Sequence, residues 1–188
     1  MFENGINIKT IIIFYSVWQD EYQKLKNEGV VSIFYNFCPS AKEFEDIFSV
    51  YADKQEETIC IIDDFQIAFD RSMLEIVSVK ARHLKVNLFL LAQALFQPGN
   101  QFMRQISLNV SYIHMFRNNR DLSQFSTLAH QLLPGKSAWL KEAFYEVTKK
   151  PYTCLLINLT VDCAESLKFI TNFLPSEFPP IALIEKKK

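Results

Sequence analysis

This 188-residue chain is poor in the residues and motifs that announce common site chemistries, and each shortage excludes something. Its four cysteines, Cys38, Cys60, Cys154 and Cys163, form no C-x-x-C pair, and at least two lie in apolar strand-like runs. They read as reduced core thiols, not as a zinc site. His83, His114 and His130 are not spaced as a metal cluster either. No apolar run approaches the roughly 20 residues of a membrane span. The N-terminus has no basic region followed by an apolar one. Both absences predict an intracellular protein with no membrane partner. A formal charge of -1 gives no global attraction to nucleic acid, so a DNA contact requires a local patch or a ring of subunits.

The chain also lacks any G-x-x-x-x-G-K-[ST] loop, the element that supplies a backbone N–H cradle and a lysine for phosphates. Gly135-Lys136-Ser137 imitates its last three residues, but His130 stands where the first glycine belongs, and a helical pattern, not a strand, precedes it. Gly135 therefore reads as a helix terminator and Ser137 as the cap of the next helix.

Apolar residues are abundant. Hydrophobic residues make up 49% of the chain and aromatics 14%, with 17 phenylalanines, enough to bury a sizeable core at this length. The pattern predicts one α/β domain over residues 1–174 and an extended tail over 175–188, marked by Pro175, Pro179, Pro180 and the terminal lysines. No internal repeat or second domain is visible.

Thr58-Ile59-Cys60-Ile61-Ile62 reads as a strand buried on both faces, and it ends in two adjacent carboxylates, Asp63 and Asp64. Acids at the carboxyl edge of a parallel sheet can hold a hydrated magnesium ion and orient or deprotonate a water; alternatively they cap the next helix. A second apolar strand, Val86 to Ala92, ends in Gln93. That amide either senses a phosphate or orients a water, or it bonds nearby backbone in a turn.

Strands are predicted at 9–17, 30–37, 109–116 and 152–159 as well. Helices are predicted from Trp18 to Glu28, closed by Gly29; after Ser40, with Glu43 in capping-box spacing and a face of Phe44, Ile47, Phe48 and Tyr51; and along Leu74, Val77, Ala81 and Leu84. Two more follow, one capped by Asp121 and Gln124 with the face Phe125, Leu128, Ala129 and Leu132, the other bearing Leu140, Ala143, Phe144 and Val147. Such alternation predicts an α/β fold with three layers and a mostly parallel, right-handed sheet.

Six segments, in this order, carry a family resemblance: Ile61-Ile62-Asp63-Asp64, Ala81-Arg82-His83, Leu91-Ala92-Gln93-Ala94-Leu95-Phe96, Arg104-Gln105-Ile106-Ser107-Leu108-Asn109, Arg120-Asp121 and Leu133-Pro134-Gly135. Together they resemble the FtsK/HerA-like genome-packaging ATPases of large DNA viruses and of virus-like Polinton (Maverick) elements. The resemblance implies a P-loop NTPase-like fold of the additional-strand type. It also implies an oligomeric ring in which ATP hydrolysis moves double-stranded DNA into a capsid, in a nucleus or a cytoplasmic viral factory.

By the same resemblance, ATP and Mg2+ are the cofactors. Asp63 would be the Walker B acid on the magnesium side, contacting the metal through water, and Asp64 the acid that polarises the attacking water. Gln93 would be the sensor, and Arg104 or Arg120 an arginine finger, with Arg82 a further candidate. Each arginine is otherwise a solvated residue or a carboxylate partner. Many such ATPases carry Glu where this chain has Asp64, a reach shorter by one methylene that a bridging water restores.

In the family, the P-loop strand and helix precede the segment resembling residues 9–17, and Met1 to Ile8 leave no room for them. The expectation is a relative lacking its first βα unit, impaired in nucleotide binding and exposing apolar sheet edges. The alternatives are a non-catalytic interaction protein on the same scaffold and an unrelated α/β domain whose acids are caps.

Overall fold

The computed structural model describes residues 8–52, 57–65, 70–96, 101–173 and 179–185. It is an α/β structure divided into two compact units, Met1–Asn109 and Val110–Lys188, each with its own four-stranded sheet.

In the first unit, β1 (Ile8–Tyr15), α1 (Asp20–Asn27), β2 (Ile33–Tyr35), α2 (Ala41–Ala52), β3 (Glu57–Asp63) and β4 (Val86–Leu91) build a wholly parallel sheet of order β2-β1-β3-β4. Between β3 and β4 run α3 (Arg71–Glu75), a π-helical turn (Ile76–Lys80) and α4 (Ala81–His83), and α5 (Gln101–Asn109) follows β4. Alternate residues of β1 serve two cores. Ile12 and Phe14 are fully buried, and the Phe14 ring meets Phe48 of α2 at 6.4 Å. Ile13 points the other way, into a cluster with Tyr22 of α1 and Val31. Helices therefore cover both faces of this sheet, as right-handed crossovers running in opposite directions require.

Local signals set the helix ends. Ser40 and Glu43 bond reciprocally as a capping box, with N–H to carboxylate at 2.8 Å and N–H to hydroxyl at 3.3 Å. Gly29 has φ +67 just past α1, the left-handed stop that glycine adopts without strain. The predicted face Leu74, Val77 and Ala81 is only partly right: Met73, Ile76 and Ala81 are the buried residues. The π turn explains this, because it widens one turn to five residues and brings Ile76 and Ala81 to the same side.

β3 is not equally buried on both faces, since Thr58, Cys60 and Ile62 are buried and Ile59 and Ile61 only partly so, and β4 is more open still. Val86 is buried, but Asn87, Phe89 and Leu91 are exposed, Phe89 by 46% and Leu91 by 48%. All four cysteines are free; Cys60 and Cys154 are buried, Cys38 and Cys163 partly so. Burial first, then the Asp70 and Glu43 carboxylates, push the Cys38 thiol up to about 11, so it is protonated at neutral pH.

In the second unit, β5 (Tyr112–Phe116), β6 (Cys154–Asn158), β7 (Phe169–Thr171) and β8 (Ile181–Ala182) pair antiparallel in sequence order. The expected mostly parallel sheet is thus corrected to one parallel and one antiparallel sheet. Two helices, α6 (Ser123–Leu132) and α7 (Ser137–Val147), lie between β5 and β6, and a helix pair reverses the polarity that a single crossover helix preserves. Their Phe125 and Phe144 rings stack at 3.8 Å. The link from β6 to β7 holds only a 3-10 turn, Glu165–Leu167.

Asp121 accepts from the Ser123 hydroxyl at 2.5 Å, the Gln124 amide at 2.7 Å and the Ser123 N–H at 3.0 Å, which together hold its carboxyl below the usual range. Gly135 lies inside a 3-10 turn, Pro134–Lys136, and Ser137 is the first residue of α7 rather than its cap, because Pro134 starts that turn. Of the predicted tail, Ile181–Ala182 forms an edge strand, while 175–178 and 186–188 lie outside the described residues.

Replacing Phe14 by Ala, which empties the space between Tyr35, Phe37 and Phe48, is expected to lower stability by about 3–5 kcal/mol in chemical-denaturant unfolding. Val161→Ala, at a fully exposed site, is expected to stay within about 0.5 kcal/mol of the parent.

Candidate functional site

β1 and β3 are adjacent, but the chain leaves β1 for β2 on one side and leaves β3 for β4 on the other. Neighbouring strands whose connections diverge open a crevice at their carboxyl ends, where open α/β sheets bind ligands. Tyr15 ends β1 in register with Asp63, which ends β3 in register with Leu91. The acid pair therefore stands at this crevice.

Asp63 is partly buried and held from the α1 side. Its Oδ2 accepts from the Tyr22 hydroxyl and, at 3.4 Å, from the Gln19 amide. Tyr22 is fixed by an aromatic cluster, its ring 5.7 Å from Tyr15, 5.8 Å from Trp18 and 6.0 Å from Phe34. Burial, the bond to Asp63, and the charges of Asp63, Asp64 and Glu21 raise the Tyr22 phenol far above its ordinary value. It remains a donor throughout the neutral range.

Asp64 is exposed, and its backbone turns into the left-handed region at φ +59. Aspartate tolerates that conformation better than most residues, but it is uncommon and collects at functional turns. The turn aims the carboxylate at the neighbouring strand tip, where Oδ1 accepts from the Gln93 amide at 2.8 Å. Asp63, Asp64 and Gln93 thus meet at one sheet edge. Neither acid caps α3, whose N–H groups at Ser72 and Met73 bond Asp70.

Arg104 on α5, Arg120 in the turn after β5 and Arg82 on α4 are exposed and lie outside this hydrogen-bonded group. Gln19 and Tyr22 escaped the sequence reading, since Trp18, Tyr22 and Leu25 looked like an apolar helix face. The available signal was position: a hydroxyl in the first turn after β1 lies beside the tip of the adjacent strand.

Among the described residues, Asp63 Oδ1 and Asp64 Oδ2 have no protein donor, and no group of three or more His, Cys, Asp or Glu gathers around a point. A pair of hard oxygen ligands fits a magnesium ion that keeps most of its waters, held by one or two carboxylates and completed by phosphate oxygens. It does not fit zinc.

Comparison with known proteins returns no match, whether to a protein-family model, a curated protein or a solved structure.

The Tyr22–Asp63 contact has a pH signature. Native Tyr22 keeps its proton where the unfolded chain, with a phenol near pH 10, loses it, so its contribution is full below about pH 10 and declines as pH rises above that. Tyr22→Phe is expected to flatten the fall in stability as pH rises above about 10, measured as denaturant midpoints. An unchanged alkaline slope would refute the assignment.

Proposed function

We propose that this chain is a nucleotide-handling domain of the FtsK/HerA-like genome-packaging ATPase type, with a P-loop NTPase-like first unit. The observation that carries the reading is the Asp63–Asp64–Gln93 group at the divergence of β1 and β3, with Asp64 bonded to Gln93 at 2.8 Å. Magnesium nucleotide, when bound, supplies the electrophilic phosphoryl group and neutralises its charge.

The chain's own residues have separate tasks. Asp63, clamped on one oxygen by Tyr22 and Gln19, would help to hold a hydrated magnesium ion with its other oxygen. Asp64 offers Oδ2 to an attacking water, and its bond to Gln93 fixes the side-chain rotamers of both. Double-stranded DNA, capsid components and a ring of like subunits are the partners this reading assigns, with Arg104 or Arg120 acting across subunits. The 188 residues contain no glycine-rich phosphate loop, so nucleotide binding by the chain alone is expected to be weak.

A calorimetric titration with magnesium and ATP tests this. Weak saturable binding that disappears in Asp63→Ala is the expected result. Asp64→Asn keeps the size and tolerates the left-handed backbone, so it is expected to retain binding while lowering any turnover by about 10²–10⁴-fold. Identical heats for the parent chain and Asp63→Ala would remove the acid pair from the reading.

β4 supports a second reading, that of a scaffold acting through self-association. It ends the order of its sheet, contains no charge, proline or register shift, and exposes Phe89 and Leu91. Edge strands are usually blunted by such features, and an uncharged strand meets no like-charge repulsion from its own copy. Phe89→Lys is expected to shift the chain toward monomer in light scattering at fixed concentration; an unchanged mass would remove β4 from the interface.

A further inference from the structure

The second unit carries a cleft that the acid pair does not use. β5 and β6 are paired with Phe116 opposite Cys154, which brings the turn leaving β5 beside the turn entering β6. Between them lies an open cleft of about 500 Å³, lined by Phe116, Arg117, Asn119, Lys149, Lys150 and Tyr152 among others. Charge and aromatic surface coincide there.

The cations differ in their freedom. Lys149 pairs with Glu146 at 2.6 Å, both largely exposed, and the Arg117 guanidinium lies 5.6 Å from the centre of the Tyr145 ring. Lys150 and Arg120, the latter three residues beyond Arg117, are exposed. The cations are concentrated at the cleft rather than spread over the unit, since residues 110–185 hold seven Lys and Arg against seven Asp and Glu and the excess of the whole segment is the terminal Lys186-Lys187-Lys188. Residues Val110–Lys188 hold ten Lys and Arg against seven Asp and Glu, whereas Met1–Asn109 hold ten against fourteen. The net charge of -1 therefore conceals one unit at +3 and another at -4.

Tyr152 is the unusual residue. Its ring is 91% exposed while its backbone sits at φ +65, a region costly for a bulky side chain and easy for glycine. The turn around it is pinned, since the Thr153 hydroxyl bonds the Val147 carbonyl at 2.9 Å and the Lys150 carbonyl at 2.7 Å. Burial does not explain a strained aromatic projecting into water. Phe116, 52% exposed on the facing strand end, offers a second ring at the same cleft.

We propose that this cleft binds single-stranded nucleic acid, with phosphates on Arg117, Lys149 and Lys150 and a base stacked on Tyr152. Aromatic platforms beside a cationic groove are the physical basis of sequence-tolerant single-strand binding. A duplex keeps its base faces stacked and would leave Tyr152 without a partner. The proposal does not depend on the acid pair.

The test is fluorescence anisotropy of labelled oligothymidine against the full chain, without magnesium or ATP, so its outcome is independent of the nucleotide reading. Binding is expected to be saturable and to weaken with salt. Lys150→Ala is expected to make the slope of log affinity against log salt shallower by about 0.7, the value of one single-strand phosphate contact. Tyr152→Gly is expected to weaken binding roughly ten-fold, one stacked base, while the unfolding midpoint holds or rises because glycine relaxes the backbone. Absence of binding at low salt overturns the proposal. So does an affinity unchanged in Tyr152→Gly, equal competition by inorganic polyphosphate, or a duplex of equal length whose binding Tyr152→Gly weakens as much as that of the single strand; Lys149 and Lys150 would then be solvated cations at the end of α7.

Discussion

The parallel ladder between β1 and β3 is the interaction on which the first unit depends. It aligns Thr10–Tyr15 with Thr58–Asp63 residue for residue. This register sets which side chains enter each core, because shifting a strand by one residue exchanges its faces. It puts Ile12, Phe14, Cys60 and Ile62, all fully buried, on their proper sides. It also delivers Asp63 to the tip beside Tyr15, within reach of the helix that follows β1. Core and candidate site are thus two results of one register.

A carboxylate at the end of a buried strand must be compensated, and the structure answers with a phenol and an amide rather than with a cation. The Tyr22 hydroxyl and the Gln19 amide satisfy one Asp63 oxygen without neutralising its charge. A lysine or arginine would satisfy the acid more strongly and compete with any metal for it. Neutral donors orient the side chain and leave its charge available, the condition a magnesium-binding acid needs. Asp64 extends the pattern, since its left-handed backbone and its bond to Gln93 hold a second charge beside the first.

What was legible in the sequence followed from local physics. Ser40 with Glu43, Gly29 and the apolar runs at β1 and β3 act over a few residues, and the structure places them as read. The polarity of β6 was equally accessible. Both helices between β5 and β6 are visible in the sequence, and counting them gives an antiparallel return, whereas strand–helix alternation taken alone predicts a mostly parallel sheet. β7 and β8 span three and two residues, too short to show a period. The acid pair and Gln93 announced themselves because polar groups ending apolar runs stand out. Tyr22 did not, since its ring serves the core while only its hydroxyl serves Asp63.

The uneven distribution of charge follows from the same asymmetry between local and global signals. An overall charge of -1 predicts no partner, but charge acts over a Debye length, about 10 Å at moderate salt, and not over a whole chain. A charge summed over the chain therefore does not describe the local charge at either cluster. Asp63 and Asp64 form a local negative cluster, and Arg117, Lys149 and Lys150 line a cleft of opposite sign. Each group also carries a backbone cost, at Asp64 and at Tyr152, the non-glycine residues at positive φ that border the two sites. Positive φ alone does not mark a site, since exposed Lys85 has φ +55 in the turn before β4; Asp64 and Tyr152 are distinguished by the charged groups that stand beside them.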